Sequence, residues 1–381
     1  RELHMRTYFT GSDPREVEIR ALADSIYERV DWQWAQARPP FISHGWRPES
    51  GFIEHDWVGY NEAMILYVLA LGSPTFPVGP EAWDAWTSGY SGQWQTHYGY
   101  SFLTFPPLFG HQYSHVWIDF RGIQDEYMRA QGIDYFENSR RATLAQRAYH
   151  IDNPRNWPNY GPDEWGLTAS DTPTGYAARG APPAQNDDGT LVPTAPGGSI
   201  VFTPDESIAA LRTMYEKYPS LWGPYGFRDA YNVSRNWFDQ AYLGIDQGPI
   251  LLMIENYRTE SIWQDFMQHE AIRRGLVSAG FTGEPLSAEP EIPYRASLSI
   301  TLYPNPAQDH LTAELELPAA GPVRVAVFDV LGRRVLDVTE TVHPAGHASI
   351  EIPTTELAPG VYFVRVSAGE ESTVRPFVRV R

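Results

Sequence analysis

The sequence predicts a mainly α-helical domain followed by a small immunoglobulin-like β-sandwich. From Asp13 to about residue 274, apolar residues recur at the spacing of amphipathic helices. After Gly275 the composition changes to a Pro- and Glu-rich stretch, and short runs of alternating apolar residues begin at about Leu298. We therefore expect a helical domain at 1–283, a linker at 284–297 and a β-sandwich at 298–381.

Helix boundaries follow from capping residues. Asp13 is a typical N-cap residue, and Pro14 suits the first helical position. Gly72 and Gly275 are predicted helix stops. Further helices are predicted at about 60–71, 80–88, 119–131, 134–149, 204–218, 247–257 and 259–274. The Pro-, Gly- and Asn-rich stretch 152–203 is longer than most connections in a compact domain, which indicates a functional, cleft-lining loop.

The composition restricts the classes of function. The formal charge of -18 disfavours nucleic acid and other polyanions as ligands. The absence of cysteine excludes disulfides, thiolate metal sites and cysteine nucleophiles. Since no apolar run approaches the roughly 20 residues of a membrane-spanning helix, no membrane span is expected. All 13 Trp precede residue 264, which slightly favours a neutral carbohydrate as the ligand, because aromatic faces stack on sugar rings.

The C-terminal segment carries three motifs in order. Seven alternating runs predict the β-sandwich, and turns are expected at Asn305–Pro306 and Pro359–Gly360. The motifs are LYPNPAQDHLTAEL, VAVFDVLGRRVL and ELAPGVYFVRVSAG. Together they resemble the C-terminal sorting domain of the type IX secretion system over about 85 residues. The resemblance implies export through the outer membrane by that machinery. The alternative is a generic binding sandwich such as a carbohydrate-binding module, but the segment has no Trp to bind sugar.

Two acidic residues lie beside predicted helix starts. Glu62, in GYNEAMI, is placed in the first turn of the helix at 60–71, where the helix dipole favours the ionised carboxylate. Asp246, in GIDQGPI, is predicted to be an N-cap beside Gly248 and Pro249. Both residues have an ordinary alternative as helix caps. As a general acid, Glu62 would need burial to raise its pKa again.

Several other polar and aromatic residues are candidates for sugar binding. In HQYSHVWIDFR, two His residues at i and i+4 could bind a metal if helical, but no third ligand is evident, so we expect no metal and no cofactor. Hydrogen bonding to sugar hydroxyls or to the catalytic loop is the favoured role. Arginines can bind hydroxyls or pair with carboxylates, and the aromatic residues are either sugar platforms or core. The candidates are His111, His115, Asp119, Arg121, Arg141, Arg258, Trp165, Trp222 and Tyr225.

From about Tyr8 to Phe281 the chain resembles the glucoamylase-like family that contains bacterial endo-β-1,2-glucanases. The resemblance rests on many ordered segments, each of them weak alone. They are GYNEAMI, LALGSPTFPV, PPLFGHQYSHVWIDFRGI, IDYFENSRRATLAQRAY, DEWGLTASD, DDGTLVPTAP, ALRTMY, LWGPYGF and GIDQGPILLMIENYRT.

The resemblance implies an (α/α) six-hairpin toroid that hydrolyses β-1,2-glucan with inversion. It places Glu62 as general acid and Asp246 as general base, and we add Asn61 and Gln247 to the candidate substrate-binding residues. An inverting pair of carboxyls is usually about 6.5–9.5 Å apart. In this family the base can act through a sugar hydroxyl and a water, which allows a longer separation.

The resemblance also has a gap. A six-hairpin toroid needs twelve helices, and the sequence predicts fewer. An acidic substrate-binding motif of the family would precede residue 1. The sequence therefore predicts a toroid that is incomplete at its N-terminus. Two alternatives remain open: an exo-acting hydrolase of the same family that releases sophorose or glucose, and a surface glycan-binding protein that no longer cleaves.

Overall fold

The computed structural model describes residues 2–9, 13–283, 286, 298–317, 320–330, 332–369 and 371–380. The chain divides into two compact units, Arg1–Ala288 and Glu289–Arg381. Apart from Leu286, the predicted linker at 284–297 lies outside the described residues.

Helices and short β-hairpins build the first unit. Among its described residues the helices are α1 (Glu2–Tyr8), α2 (Pro14–Glu28), α3 (Trp32–Ala35), α4 (Met64–Gly72), α5 (Glu81–Thr87), α6 (Tyr90–Gln93), α7 (Glu126–Gln131), α8 (Tyr135–Asp152), α9 (Thr194–Gly197), α10 (Pro204–Lys217), α11 (Gly244–Thr259), α12 (Ser261–Met267) and α13 (Glu270–Ser278). The strands are β1 (Trp46–Arg47), β2 (Gly51–Phe52), β3 (Trp94–His97), β4 (Tyr100–Leu103), β5 (Ala169–Ser170), β6 (Ala177–Ala178), β7 (Thr190–Leu191), β8 (Trp222–Gly223), β9 (Gly226–Phe227), β10 (Tyr231–Asn232) and β11 (Trp237–Phe238).

Two predicted helices differ from those observed. The region 119–131 is helical only in α7, because the side chain of Asp125 accepts a hydrogen bond from the Met128 amide and starts the helix there. The region 259–274 contains two helices, α12 and α13, since the His269 side chain accepts from the Ala271 amide and caps a new helix. The other predicted regions contain helices with shifted ends.

The helices α4 and α13 pack against each other through two glycines. A methyl group on Gly72 would overlap the carbonyl oxygen of Ala271, and one on Gly275 would overlap the carbonyl oxygen of Val68. Gly72 ends its helix as predicted, but the prediction for Gly275 was wrong because this residue lies inside α13. Its missing side chain serves close backbone approach instead of a helix stop. The contact holds α4, the helix that follows Glu62, against the core.

Substitution of Gly275 by Ala should lower the free energy of unfolding by about 1–3 kcal/mol, because the added methyl group forces two helix backbones apart. Gly92 is the matched control, since it lies in α6 with open space around its Cα. Gly92→Ala should leave stability unchanged or raise it. Denaturant titration of both variants measures the difference, and equal effects would contradict the close-packing explanation.

The predicted loop at 152–203 is a packed structure. Residues 190–200, near its end, are all buried and include β7 and α9. The β5–β6 hairpin carries Asp171 just beyond its first strand and Arg179 just beyond its second. The loop thus places charged side chains inside the unit.

The second unit is a sandwich of two antiparallel sheets. Its strands are β12 (Ser299–Tyr303), β13 (His310–Leu317), β14 (Gly321–Asp329), β15 (Arg334–His343), β16 (Gly346–Pro353), β17 (Gly360–Ala368) and β18 (Glu371–Arg379). The sheets have the orders β12-β13-β16 and β15-β14-β17-β18. Alternate side chains such as Leu311, Leu315, Val325 and Val364 from both sheets share one apolar core. The seven predicted strands are therefore confirmed.

No helix among the described residues combines the length and the apolar character that crossing a lipid bilayer requires.

Candidate active site

The turn at 59–63 fixes the position of Glu62. The Asn61 side chain donates a hydrogen bond to the Gly59 carbonyl (2.9 Å) and accepts one from the Ala63 amide (2.9 Å). The Ser114 hydroxyl donates to the Glu62 carbonyl (3.2 Å). With its backbone held from both sides, the turn directs the Glu62 side chain independently of the helix that follows.

The Glu62 carboxyl is poorly solvated. The helix α4 begins only at Met64, so Glu62 lies before its first turn. The prediction that Glu62 lies within the first turn was therefore wrong. Its Oε2 atom is buried, with no hydrogen-bond donor among the described residues. Burial raises the pKa of Glu62, and a backbone hydrogen bond offsets part of this effect. Burial therefore shifts the carboxyl toward the protonated form, which a general acid requires.

A series of buried side-chain hydrogen bonds supports the turn at 59–63. The His111 ring contacts the Tyr60 hydroxyl (3.2 Å), which contacts the Ser139 hydroxyl (3.2 Å). Ser139 in turn contacts the His115 ring (3.0 Å). Burial lowers the pKa of both histidines to about 3, so both rings are neutral. The two histidines thus hold Tyr60, which precedes Asn61: His111 contacts it directly and His115 contacts it through Ser139. Of the two roles predicted for these histidines, hydrogen bonding to the catalytic loop matches these contacts.

Asp246 lies in the first turn of α11. The N-cap residue is Leu243, so the prediction of Asp246 as N-cap was wrong. The Asp246 side chain is buried, and its pKa is raised to about 8. Burial is the largest cause, followed by the negative charge of Asp229 and a hydrogen bond to it. The position at the helix start, which would lower the pKa, is outweighed by these neighbours.

Sequence reasoning missed Asp229 and Tyr113. Asp229 is 1% exposed, and its Oδ2 atom accepts a hydrogen bond from the Asp171 amide (2.8 Å). Tyr113 is half-buried; burial raises its pKa most, and the charges of Asp246 and Glu62 raise it further. Tyr113 therefore lies within electrostatic range of both carboxyls, although they come from different elements of the chain. Tyr113 belongs to the HQYSH motif, but Asp229 has no motif of its own.

One group of carboxylates among the described residues is close enough to meet around an ion. Oxygen atoms of Asp171, Asp229 and Asp239 lie within 4.8 Å of one another. Asp239 already accepts hydrogen bonds from the Gln240 and Ala241 amides. Clustered carboxylates alone do not define a metal site, and we assign none here.

An aromatic hairpin, Trp222–Phe227, adjoins Asp246. Trp222 is 45% exposed and Tyr225 is 76% exposed, so both rings can meet a ligand. The Gln247 side chain donates to the Phe227 carbonyl (2.7 Å) and so ties the hairpin to the residue next to Asp246. These three predicted substrate-binding residues are therefore brought together.

Other predicted sugar-binding residues have no exposed side chain. Trp165 is 0% exposed and packs with Leu108 and Ala210, so it is a core residue and the prediction of a sugar platform was wrong. The same correction applies to sugar binding by His111 and His115, because both rings are fully buried. The Asn61 amide is buried and engaged in its own turn, which leaves it a structural role.

The charged candidates form ion pairs. Arg121 binds both oxygens of Asp119 and also Glu260 (2.9 Å), and its guanidinium lies over Trp263. Arg141 pairs with Glu137 (2.8 Å), and Arg258 lies 3.7 Å from Glu255. Asp119, Arg121 and Arg141 therefore form structural ion pairs instead of the predicted contacts with sugar, because carboxylates already occupy guanidinium donors of both arginines.

Comparison with known proteins identifies the family. Residues 54–270 match the family described as Putative glucoamylase. The chain belongs to this family. A crystal structure of a putative glucoamylase from Bacteroides uniformis superposes with a TM-score of 0.70 at 38% identity, covering 75% of this chain and 70% of that one.

Two further relatives of this glucoamylase-like chain have named activities. An endo-β-1,2-glucanase from Chitinophaga pinensis, solved with sophorotriose and glucose, has a TM-score of 0.69 at 34% identity, covering 75% of this chain and 70% of that one. An exo β-1,2-glucooligosaccharide sophorohydrolase (non-reducing end) from Parabacteroides distasonis is 35% identical in an alignment 301 residues long that covers 72% of this chain. The match spans only 41% of that relative.

The second unit is a sorting domain. Residues 301–380 match the family described as secretion system C-terminal sorting domain. This confirms the resemblance seen in the sequence, and the protein is exported to the cell surface or beyond it.

Proposed function

We propose that the protein hydrolyses β-1,2-glucosidic bonds of extracellular β-1,2-glucan with inversion, with Glu62 as general acid and Asp246 as general base. The observation that carries the proposal is a pair of poorly solvated carboxyls with raised pKa values, the half-buried Glu62 and the buried Asp246, both within electrostatic range of Tyr113. Glycosidases of this kind need one protonated and one ionised carboxyl on opposite sides of the scissile bond. The β-1,2-glucan activities named for the two relatives support the substrate.

Glu62 suits the acid role. Its buried Oε2 atom has no competing donor among the described residues, so it can hold a proton for the glycosidic oxygen. As the bond between C1 and this oxygen breaks, the proton moves to the leaving sugar. A carboxyl of raised pKa stays protonated closer to neutral pH, where the reaction needs it.

Asp246 suits the base role. In its ionised form it takes the proton of the attacking water, directly or through a sugar hydroxyl, while the water oxygen bonds to C1. Because its pKa is raised to about 8, Asp246 is a stronger base than an ordinary aspartate. The aromatic hairpin next to it offers exposed rings for a glucose unit.

The finer structural and cellular predictions belong to the same proposal. We assign the helices of the first unit to an (α/α) six-hairpin toroid, supported by the likeness to the solved glucoamylase-like structures. The sorting domain would be recognised by the type IX secretion machinery.

Endo-acting cleavage is the first candidate, and release of sophorose from the non-reducing end is the second. The second is favoured by the activity named for the P. distasonis relative. Chromatography of early products from linear β-1,2-glucan separates them, because an endo-enzyme gives a range of chain lengths and an exo-enzyme gives mainly disaccharide.

The deciding experiment is incubation of the purified intact protein with linear β-1,2-glucan. New reducing ends should form, and early proton NMR spectra should show the α-anomer, since inversion of a β-linkage yields an α-product. A β-anomer formed first would contradict inversion. Binding without any turnover would instead favour the non-catalytic glycan-binding protein.

Trp222→Ala should raise KM by about 5- to 10-fold with little change in kcat, because stacking on a ring stabilises bound substrate and transition state alike. Trp34→Ala is the matched control. Trp34 is 54% exposed, and its ring packs on that of Phe52 with 4.6 Å between the centroids. Steady-state kinetics on linear β-1,2-glucan measures both variants. A loss confined to kcat in Trp222→Ala would contradict a binding role.

A further inference from the structure

The carboxyl groups of Asp229 and Asp246 form a contact that the proposed reaction does not yet use. The two side chains lie within hydrogen-bonding reach of each other. Asp229 is 1% exposed and Asp246 is 4% exposed, so water screens neither group well. Two ionised carboxylates cannot hydrogen-bond, because both would be acceptors. The contact is therefore favourable only when one of the two carries a proton.

The surroundings of Asp229 show which oxygen takes part. Its Oδ2 atom is occupied by the Asp171 amide (2.8 Å). Its Oδ1 atom is buried and receives no N–H or hydroxyl donor from the described residues. A buried, unpaired carboxylate oxygen is costly unless a donor reaches it. A proton carried by Asp246 satisfies this atom.

We propose that Asp229 is a positioning residue that shares a proton with Asp246 and thereby makes Asp246 a stronger base for the attacking water. This inference rests on the proposed function, in which Asp246 is the base. Asp229 touches Asp246 and acts through it. When Asp246 ionises, its proton leaves to solvent, and a negative charge then lies beside the negative charge of Asp229. That repulsion is relieved when Asp246 takes a proton from water as the bond between the water oxygen and C1 forms.

The other charged and titratable groups near the pair come from several elements. They are Asp171 after β5, Arg179 after β6, Asp239 after β11, Tyr113 and Glu62. Asp171 adds a smaller negative contribution at Asp246 than Asp229 does. Arg179 is fully buried, donates a hydrogen bond to the Ser170 hydroxyl and lies 3.8 Å from Asp188. Its charge is not among the causes of the raised pKa at Asp246. Asp229 is thus the main charged neighbour of the base.

The test is Asp229→Asn in the intact protein. Asparagine keeps the shape but removes the charge, so Asp246 should ionise at a pH lower by at least about one unit. A ¹³C carboxyl NMR titration, with the Asp246 signal identified from Asp246→Asn, reads this directly. The limb of the profile of kcat/KM against pH that follows the ionisation of Asp246 should move the same way. The plateau of kcat should fall by less than the loss caused by Asp246→Asn.

Asp239→Asn is the matched control, because it removes a nearby charge that does not act on Asp246 and should shift the titration by less than half as much. An unchanged Asp246 titration in Asp229→Asn would overturn the proposal. So would a shift of the wild-type titration on adding EDTA, since a cation and not a proton would then lie between the carboxyls. If the titration shifts but the wild-type protein cleaves no glucan, the shared proton stands and the proposed function fails.

Discussion

Replacement of Glu62 by Gln should lower kcat on linear β-1,2-glucan by about 10²- to 10⁴-fold, which is the usual contribution of a positioned general acid. Glutamine keeps the size of the side chain but cannot give a proton to the leaving oxygen. KM should change little, since the lost interaction belongs to the transition state. Release of reducing ends over a range of substrate concentrations measures both constants.

Stability separates loss of catalysis from loss of fold in this variant. Burial raises the pKa of Glu62, so the folded protein loses stability as the pH rises from the ordinary pKa through the raised one. Glutamine does not ionise, and Glu62→Gln should therefore unfold at the same or a higher temperature than the wild type at pH 8. The control is Glu54→Gln, an exposed neighbour in sequence that should leave kcat unchanged. A large fall in Tm with Glu62→Gln would contradict the catalytic explanation.

Asp246→Asn should also lower kcat by about 10²- to 10⁴-fold, because no group then removes the proton of the attacking water. The pH profile should change in shape as well. In the wild type the reaction needs Asp246 ionised and Glu62 protonated, so the profile of kcat/KM against pH should be bell-shaped. In Asp246→Asn the rising limb should disappear and the falling limb should remain.

Asp205→Asn is a control of the same residue type and helix position. Asp205 lies in the first turn of α10 and is exposed. The substitution should alter neither kcat nor the pH profile. A rising limb that persists in Asp246→Asn would assign the base to another residue.

The sequence predicted the fold best where a local signal has a local cause. Helical spacing located the region of α8, and strand alternation located all seven strands of the sandwich. Prediction from the sequence failed where tertiary contacts determine the local structure. Gly275 has the composition of a helix stop, but it lies inside α13 because Val68 of another helix approaches its backbone. No periodicity in the chain encodes that approach.

The same distinction holds for the candidate site. Glu62 and Asp246 were found through resemblance to a family, while their raised pKa values depend on burial that the sequence does not display. Trp165 and Trp222 are indistinguishable as tryptophans, yet one is core and the other exposed. The sequence did not indicate Asp229, because its role depends on Asp246, which lies 17 residues later in the chain and on a different element.

The attachment of the aromatic hairpin to α11 has a consequence for substrate length. Gln247 holds the hairpin by the Phe227 carbonyl, and Asp229 follows that residue closely in the chain. A glucose unit stacked on Trp222 therefore contacts the hairpin that leads into Asp229 and that Gln247 joins to the helix of Asp246. An oligosaccharide too short to reach the ring would lose this contact, so short substrates should bind more weakly than long ones.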